Sequence, residues 1–351
     1  MEIFIRVDAS VNIGTGHVMR CLTLAGLLKK CGHSILFICR KGPGDLCEII
    51  KKQGYIVHSL PYNKNEPLKF SQLEDAIATK IIIEEHYKEV DCLIVDHYYL
   101  DAKWEKVLKP KVKVLMVIDD LANRQHMCDI ILDQNLSSNY QKRYDSLIPF
   151  NSKKLLGPDY VLLRDEFFLQ DQYVRDGNIK NILIFFGGSD PTNETKKAME
   201  AILKFRHINF SVNVVVGASN LNKQMIHRMC EKYSFFNYYY QVDNIASLMN
   251  YADLSIGAGG ITTWERCYLG LPTIVISIAS NQEKIAHALD KLGVIKYLGP
   301  KEKITSNQIY FELKNFLLNR EKVKCLSQSS IRLIGKNRRK DIIKEIENRS
   351  V

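Results

Sequence analysis

The feature that most limits the fold of this 351-residue chain is an alternation of apolar runs with helical patterns. The apolar runs have the length and β-branched content of buried strands, and stretches with helical spacing separate many of them. In the first half, strands are predicted at 2–7, 34–39, 92–96, 112–118 and 129–133. Helices are predicted there at 17–31, 43–53, 72–88 and 101–109. This order predicts parallel sheets with right-handed crossovers, which is the α/β class.

The second half repeats the scheme. Strands are predicted at 181–188, 210–217, 253–260 and 272–277. Helices are predicted near 192–205, 221–232, 244–251, 261–269 and 281–291. We therefore expect two doubly wound, Rossmann-like domains, at 1–160 and 181–325. The stretch 161–180, where the strand pattern stops, is predicted to be a linker. Residues 326–351 are interpreted, by analogy with similar folds, as a C-terminal helix that packs across the domains.

Ligands of open parallel sheets bind beyond the carboxyl ends of the strands. Two such domains facing each other would form an interdomain cleft lined by both sets of βα loops. We expect the chemistry of this protein in that cleft, so the polar residues that follow the predicted strands are the candidate site residues.

Composition and charge narrow the classes of function. No run approaches the ~20 apolar residues of a membrane span, so stable membrane insertion is not expected. The start "MEIFIRVD" lacks the basic residues that begin a signal peptide, so a cytoplasmic location is expected. The nine cysteines are scattered and are interpreted as reduced thiols. The net charge of +10 is spread along the chain. Its densest run, "GKNRRKDIIK", is typical of a solvated helix, so no nucleic-acid partner is expected.

The first predicted strand-to-helix turn, "IGTGHVMRC", places a histidine directly after two glycines. Gly14 and Gly16 allow a tight turn around Thr15, and His17 then lies at the start of a helix. Because a helix N-terminus disfavours imidazolium, we expect His17 to be a neutral base beside an open loop. A histidine that only hydrogen-bonds to a nearby backbone group is the alternative.

Three further polar residues are expected at the same edge of the sheet. Arg6 and Asp8 lie at the end of the first strand, where Asp8 either orients the imidazole or caps the loop. Tyr98 follows the strand that ends at Asp96, and it either faces the substrate or packs in a turn. The loop lacks the GxGxxG pattern of dinucleotide sites and the Gly-Lys-Ser/Thr of a Walker A loop, which weakens NAD and ATP as ligands.

A second glycine-rich turn, "GAGGITTWERCYLGLP", also follows a predicted strand and begins a helix. The backbone N–H groups of Gly259, Gly260, Ile261 and Thr262, with the helix dipole behind them, would form a phosphate site. Glu265 lies one turn into this helix, where its carboxylate could accept two ribose hydroxyls. An acid that only complements the helix dipole is the alternative.

Two other turns carry candidate ligand contacts. "FFGGSDPTNET" contains Gly188, with Ser189 or Asp190 available as a helix cap. "SNQEK" contains Asn281 and Gln282, whose amides either contact sugar hydroxyls and phosphate or belong to an ordinary helix start.

Taken together, these motifs resemble the UDP-sugar hydrolases of pseudaminic acid biosynthesis. The resemblance runs in order from residue 3 to about 295 through "RVDASVNIGTGHVMRCLTLA", "IVDHYYLD", "IDDLANR", "LLGPDYVLLRDEF", "FFGGSDPTN" and "GAGGITTWERCYLGLPTIVISIASNQ". The second half is also similar to two-domain inverting glycosyltransferases, including the N-acetylglucosaminyl transferase that makes lipid II. The resemblance implies a GT-B fold, UDP bound by the C-terminal domain, and no metal or other cofactor, in agreement with the lack of a clear DxD motif.

The resemblance also implies a reaction, the hydrolysis of UDP-2,4-diacetamido-2,4,6-trideoxy-β-L-altropyranose to UDP and the free sugar, with inversion. It implies that His17 is the catalytic base and that Asn281 and Tyr98 contact the substrate. The other candidate substrate contacts are Arg6, Asp8, Gly14, Thr15, Gly16 and Gln282. The candidate UDP contacts are Gly188, Gly259, Gly260, Ile261, Thr262 and Glu265.

Two other functions remain open from the sequence. The same fold and base could deprotonate an acceptor hydroxyl, which would make the protein an inverting glycosyltransferase. A nucleotide-sugar binding module without catalysis is the second alternative. For the hydrolase we expect a monomer that supplies flagellin glycosylation or a surface polysaccharide.

Overall fold

The computed structural model describes residues 1–10, 13–61, 71–86, 90–137, 139–207 and 209–350. The chain divides into two units. The first comprises Met1–Leu162 and the segment that starts at Lys336, and the second comprises Leu163–Gly335. Among the described residues, no helix has the length and apolar composition that crossing a bilayer would need.

The first unit has a parallel sheet with helices on both faces. Its strands are β1 (Glu2–Val7), β2 (Ser34–Arg40), β3 (Ile56–Leu60), β4 (Val90–Asp96), β5 (Val112–Ile118), β6 (Ile130–Asp133) and β7 (Lys153–Leu156). Its helices in the N-terminal part are α1 (Gly16–Lys30), α2 (Cys47–Lys52), α3 (Gln72–His86) and α4 (Ala102–Leu108). The predicted end of α3, at 87–88, lies outside the described residues.

The second unit repeats this arrangement. Its strands are β8 (Asn181–Phe185), β9 (Ser211–Val216), β10 (Phe236–Tyr240), β11 (Leu254–Ala258), β12 (Thr273–Ser277) and β13 (Lys296–Pro300). Its helices are α5 (Asp165–Phe168), α6 (Glu194–Ile202), α7 (Lys223–Glu231), α8 (Ile245–Tyr251), α9 (Ile261–Tyr268), α10 (Ser280–Lys291), α11 (Ser306–Leu318) and α12 (Arg320–Ile334). The short helix α5 lies in the stretch predicted as a linker.

The stretch predicted as one C-terminal helix, 326–351, contains two. α12 ends before Gly335, whose φ of 50° interrupts the helical backbone, and α13 (Arg339–Ser350) follows. Ile342, Ile343 and Ile346 of α13 are buried in the core of the first unit, on the same face of the sheet as α1.

The second sheet repeats the strand order of the first, without an equivalent of its last strand, β7. The first sheet runs β3-β2-β1-β4-β5-β6-β7 and the second runs β10-β9-β8-β11-β12-β13, with parallel pairing throughout both. The connections from β1 and β4 therefore leave in opposite directions, as do those from β8 and β11. Such switch points are where open α/β sheets bind ligands. Each unit consequently has one favoured position for a site.

Candidate functional site

The switch point of the first sheet holds the predicted histidine. Gly14, at φ 81°, donates its N–H to the Ser10 carbonyl at 2.8 Å, and Gly16 begins α1 without a bulky side chain. Thr15 is the N-cap residue, but its side chain makes no capping hydrogen bond. The turn therefore delivers His17, whose side chain is 6% exposed, to the carboxyl end of the neighbouring strand β4.

Asp96, the last residue of β4, is the residue that orients His17. Nδ1 of His17 lies 2.5 Å from Oδ1 of Asp96. Nη2 of Arg20 also lies 3.0 Å from Nδ1, but the contact with Asp96 is the shorter one. A carboxylate can only accept a hydrogen bond, so we assign a ring proton to Nδ1, and the tautomer with its lone pair on Nε2 follows. Among the described residues, none hydrogen-bonds to Nε2. This tautomer can take a proton from a ligand.

Arg20 keeps Asp96 ionised. One helical turn after His17, it donates from Nε to Oδ2 of Asp96 at 2.5 Å and from Nη2 to Oδ1 at 2.6 Å. Burial acts to raise the pKa of Asp96, but the charge of Arg20 and the hydrogen bonds from Arg20 and His17 outweigh it and hold that pKa well below its usual range. Arg20 in turn reaches Asp120 at 3.0 Å. The orienting carboxylate is thus a fixed anion.

Tyr98 lies against the imidazole. Its ring meets that of His17 edge to face, with centroids 4.3 Å apart and planes at 84°. The half-buried Tyr98 follows Asp96 by two residues, so β4 places both partners of the histidine. The structure therefore brings together His17, Tyr98 and the glycine turn, as the sequence predicts.

Arg6 and Asp8 lie apart from the imidazole. Arg6 is fully buried and binds Asp8 at 2.5 Å and Asp75 at 2.7 Å through its guanidinium. Asp8 also accepts a hydrogen bond at 3.2 Å from His97, not from His17. The sequence left two roles open for Asp8. The first of them, orientation of His17, is wrong, because Asp96 binds Nδ1 of that imidazole and Asp8 binds His97.

The glycine turn of the second unit lies at the other switch point, between β11 and α9. Gly260, at φ 95°, occupies the N-cap position, and its lack of a side chain leaves the first helical turn uncapped. Ile261 and Thr262 are partly exposed there. Their backbone N–H groups, with the positive end of the helix dipole, can bind an anion.

Glu265 is partly used by a protein partner. Its side chain is 5% exposed, and Oε1 accepts hydrogen bonds from Nε and Nη2 of Arg164 at 3.2 Å and 3.0 Å. Oε2 is buried and has no hydrogen-bond partner among the described residues. Such an oxygen is costly unless a ligand or water satisfies it, so Oε2 is available to a ligand hydroxyl.

Gln282 covers the glycine turn from α10. Its Oε1 accepts the N–H of Ile278 at 3.0 Å, which orients the amide NH₂ as a donor. A Cβ at Gly259 would lie 3.0 Å from Cβ of Gln282, so the two residues are in close approach. Asn281 is exposed beside Gln282, and the N-cap of α10 is Ala279, so neither amide caps the helix.

Gly188 is exposed in the turn after β8, on the other side of the same switch point. Asp190 caps the following helix by accepting the N–H groups of Glu194 and Thr195 at 2.8 Å and 2.9 Å. A Cβ on Gly217 would lie 2.4 Å from the backbone of Gly188, so the two glycines permit a close approach of two turns.

Sequence reasoning missed the roles of three residues. Asp96 was expected only to share an edge of the sheet with His17. The sequence signal for its role was the position of an acidic residue at the end of an apolar strand. Arg20 follows His17 by three residues, which places both on one helix face. Arg164 had no signal, since its carboxylate partner is 101 residues away.

Sequence relatives include known hydrolases. Residues 182–346 match the model of the glycosyltransferase family 28 C-terminal domain. An uncharacterized protein of Methanocaldococcus jannaschii is 30% identical over 284 residues, 79% of this chain and 55% of that protein, so the chain spans about half of that relative. The UDP-2,4-diacetamido-2,4,6-trideoxy-β-L-altropyranose hydrolase of Campylobacter jejuni is 27% identical over 295 residues, 84% of this chain and 97% of that protein. The resemblance predicted from the motifs is confirmed.

Solved structures agree on the fold. MurG of Acinetobacter baumannii superimposes with a TM-score of 0.67 at 14% identity, over 99% of both chains. A likeness at this identity concerns the fold alone. The GT-B fold, with two doubly wound α/β units, is thereby confirmed.

Proposed function

We propose that this protein hydrolyses UDP-2,4-diacetamido-2,4,6-trideoxy-β-L-altropyranose to UDP and the free diacetamido sugar. The Campylobacter relative, matched over 97% of its length, carries this activity in its name. The observation that carries the proposal is the Asp96–His17 pair, because it holds the imidazole through Nδ1 and leaves Nε2 without a hydrogen-bond partner among the described residues. The product would enter the synthesis of a sialic-acid-like sugar for a surface glycan.

In the proposed reaction, Nε2 of His17 accepts a proton from water. The water oxygen forms a bond to the anomeric carbon, the bond from that carbon to the β-phosphate oxygen breaks, and UDP leaves with the electron pair. Attack from the face opposite UDP inverts the anomeric configuration. The ionised Asp96 stabilises the imidazolium, since it already binds Nδ1–H. A base of this kind contributes ~10²–10⁴-fold, so most of the acceleration comes from positioning and leaving-group stabilisation.

The second unit supplies the leaving-group site in this proposal. The uncapped first turn of α9 binds the diphosphate through the N–H groups of Ile261 and Thr262. Oε2 of Glu265 accepts a ribose hydroxyl, which would satisfy an otherwise unpartnered buried oxygen. Gln282 and Asn281 donate amide hydrogen bonds to the substrate.

Glycosyl transfer is the second candidate. The match to a glycosyltransferase family 28 domain and the MurG-like fold favour it, because both are shared with enzymes of that class. His17 would then deprotonate an acceptor hydroxyl instead of water. A non-catalytic nucleotide-sugar binding module is the third candidate, and in it His17 would have no chemical role.

One experiment distinguishes the three functions. The protein is incubated with a panel of UDP-sugars and no acceptor, and UDP and free sugar are measured over time. Hydrolysis predicts equal release of both products from the diacetamido substrate, and a ~10²–10⁴-fold slower turnover in His17→Ala with UDP binding retained. His227→Ala, at an exposed histidine of α7, is the matched control and should leave turnover unchanged.

Two outcomes would contradict the proposal. UDP release that requires an added acceptor identifies a transferase. UDP-sugar binding without turnover, unchanged in His17→Ala, identifies a binding module.

A further inference from the structure

Arg266 on α9 is a buried cation without an anionic partner among the described residues. We propose that it is a positioning residue for the diphosphate: it holds the backbone of the glycine turn in place and supplies uncompensated positive charge beneath it. This inference deepens the proposed function and rests on it for the identity of the ligand.

The guanidinium lies directly against the turn. Its Nη2 donates to the carbonyl oxygen of Ala258 at 2.5 Å and approaches Oγ1 of Thr263 at 3.3 Å. A Cβ added to Gly257 would lie 2.4 Å from Nη1, so the close approach requires glycine at that position. The side chain is only 1% exposed. Arg266 therefore underlies the backbone from Gly257 to Thr263.

The bond to Ala258 fixes the direction of the next N–H group. The chain has no cis peptide bond among its described residues. In a trans peptide the carbonyl and the following N–H point to opposite sides. Because the Ala258 carbonyl points toward Arg266, the N–H of Gly259 points away from it, toward the neighbouring strand β12, and the backbone at the start of the turn is held in one orientation.

The charge of Arg266 is not compensated. Burial lowers its pKa to about 10 against the opposing effects of Cys267 and Glu265, so the group is still cationic near neutral pH. No carboxylate of the described residues lies within salt-bridge distance of it, since Glu265 pairs with Arg164. Its Nε and Nη1 have no hydrogen-bond partner among the residues that the structure describes.

Arg175, in the same unit, shows what a buried arginine with a purely structural role looks like. Its guanidinium donates to backbone carbonyl oxygens, and these belong to Tyr173, Met249, Asn250, Ala252 and Leu269. Each of its nitrogens has a partner. The two unpartnered nitrogens of Arg266 are therefore not a general property of buried arginines in this protein.

An unpaired buried cation lowers stability unless an anion offsets it. The first turn of α9 is uncapped, exposes N–H groups and carries the positive end of the helix dipole, so it is where an anion would bind. Charge that acts through a low-dielectric interior is weakly screened. Arg266 can thus favour a diphosphate across the turn without touching it.

The test measures binding, not turnover. Dissociation constants for UDP, uridine and inorganic diphosphate are measured by calorimetry for the wild type and for Arg266→Gln. We expect UDP and diphosphate to bind roughly tenfold or more weakly in the variant, with uridine within about twofold of wild type, since a hydrogen-bonding charge is lost. Arg266→Lys should fall between the two, because it keeps the charge but loses the fork geometry.

Arg175→Gln is the matched control: it should lower thermal stability and leave the UDP-to-uridine ratio of dissociation constants unchanged. A ratio at the wild-type value in both Arg266 variants overturns the inference, as does an equal loss of UDP and uridine. If Arg266→Gln does not fold, the Arg266→Lys ratio decides alone, and a wild-type value overturns the inference.

The outcomes separate this inference from the proposed activity. Failure to hydrolyse any UDP-sugar, with the expected ratios intact, would overturn the activity and leave Arg266 in place. Normal hydrolysis, with UDP-to-uridine ratios of dissociation constants in the Arg266 variants equal to the wild-type ratio, would support the activity and overturn the role of Arg266.

Discussion

The two switch points share one topology but differ in electrostatics. At the first, the buried cation Arg20 is paired with Asp96 and Asp120, and the site ends in the imidazole of His17. At the second, the buried cation Arg266 has no carboxylate partner in the part of the chain that the structure describes, and the site ends in backbone N–H groups. A compensated network can fix a proton acceptor in one tautomer, whereas an uncompensated cation favours an incoming anion. The same strand order can therefore support the proposed base in one unit and the proposed anion site in the other.

Asp96→Asn should have the largest effect on this comparison. The amide can donate to Nδ1 of His17 and so select the tautomer with hydrogen on Nε2, which cannot act as a base. We expect kcat to fall ~10²–10⁴-fold with the dissociation constant of UDP unchanged. Steady-state kinetics and calorimetry measure the two quantities, and a kcat near wild type would show that Asp96 does not set the tautomer.

Glu265→Gln, in the second unit, should weaken UDP binding and leave kcat nearly unchanged, the reverse of the effect expected for Asp96→Asn. Removing the charge weakens the hydrogen bond to a ribose hydroxyl, so the dissociation constant of UDP should rise roughly 10–100-fold while kcat at saturation changes little. Glu166→Gln is the matched control, because Glu166 also pairs with Arg164, at 2.6 Å. Equal losses in the two variants would mean that Glu265 acts only through Arg164.

The two units should unfold at different pH values in an acid titration. Burial acts to raise the pKa of Asp8 and of Asp96, but Arg6 and Arg20 respectively outweigh it and hold both pKa values below their usual range. The stability that these first-unit carboxylates contribute is present above about pH 4 and is lost as the pH falls, on the order of 1–3 kcal/mol for each. In the second unit, burial raises the pKa of Glu166 and of Glu194, so protonation there favours the folded state.

Burial raises the pKa of one first-unit acid, Asp133, to about 7, but Asp8, Asp75, Asp96 and Asp119 all have lowered pKa values and outnumber it. The first unit should therefore lose its fold at a higher pH than the second. Each unit has one of the two tryptophans, Trp104 and Trp264, and both are buried. Trp264→Phe leaves a reporter for the first unit, and Trp104→Phe leaves one for the second. Acid titrations of fluorescence give the two midpoints. Coincident midpoints, or earlier unfolding of the second unit, would remove this difference between the units.

Interior strands were predictable and edge strands were not. All nine strands predicted from apolar runs are present, with ends that differ by up to three residues. The four that the sequence did not predict are β3, β7, β10 and β13, which are the edges of the two sheets. Interior parallel strands are covered on both faces and become continuous apolar runs, whereas edge strands are shorter or more polar, as in "KKLL" and "FNYYY".

The candidate site was predictable where a local motif marks it. Gly14 and Gly260 have the positive φ angles that their turns require, and both precede helices as predicted. The pairing of His17 with Asp96 was not predictable, because 79 residues separate them and only the adjacency of β1 and β4 brings them together. Arg266 had no signal either, since an arginine in a helical pattern is usually exposed.

The return of α13 to the first unit determines the order in which the protein can mature during synthesis. The first sheet is complete by β7, yet Ile342, Ile343 and Ile346 enter its core only after the whole second unit has been translated. Each of these side chains contributes about 1.5–3 kcal/mol when buried. Until then these three side chains are missing from the first core, so the unit that contains His17 completes its packing last, although most of its sequence is translated first.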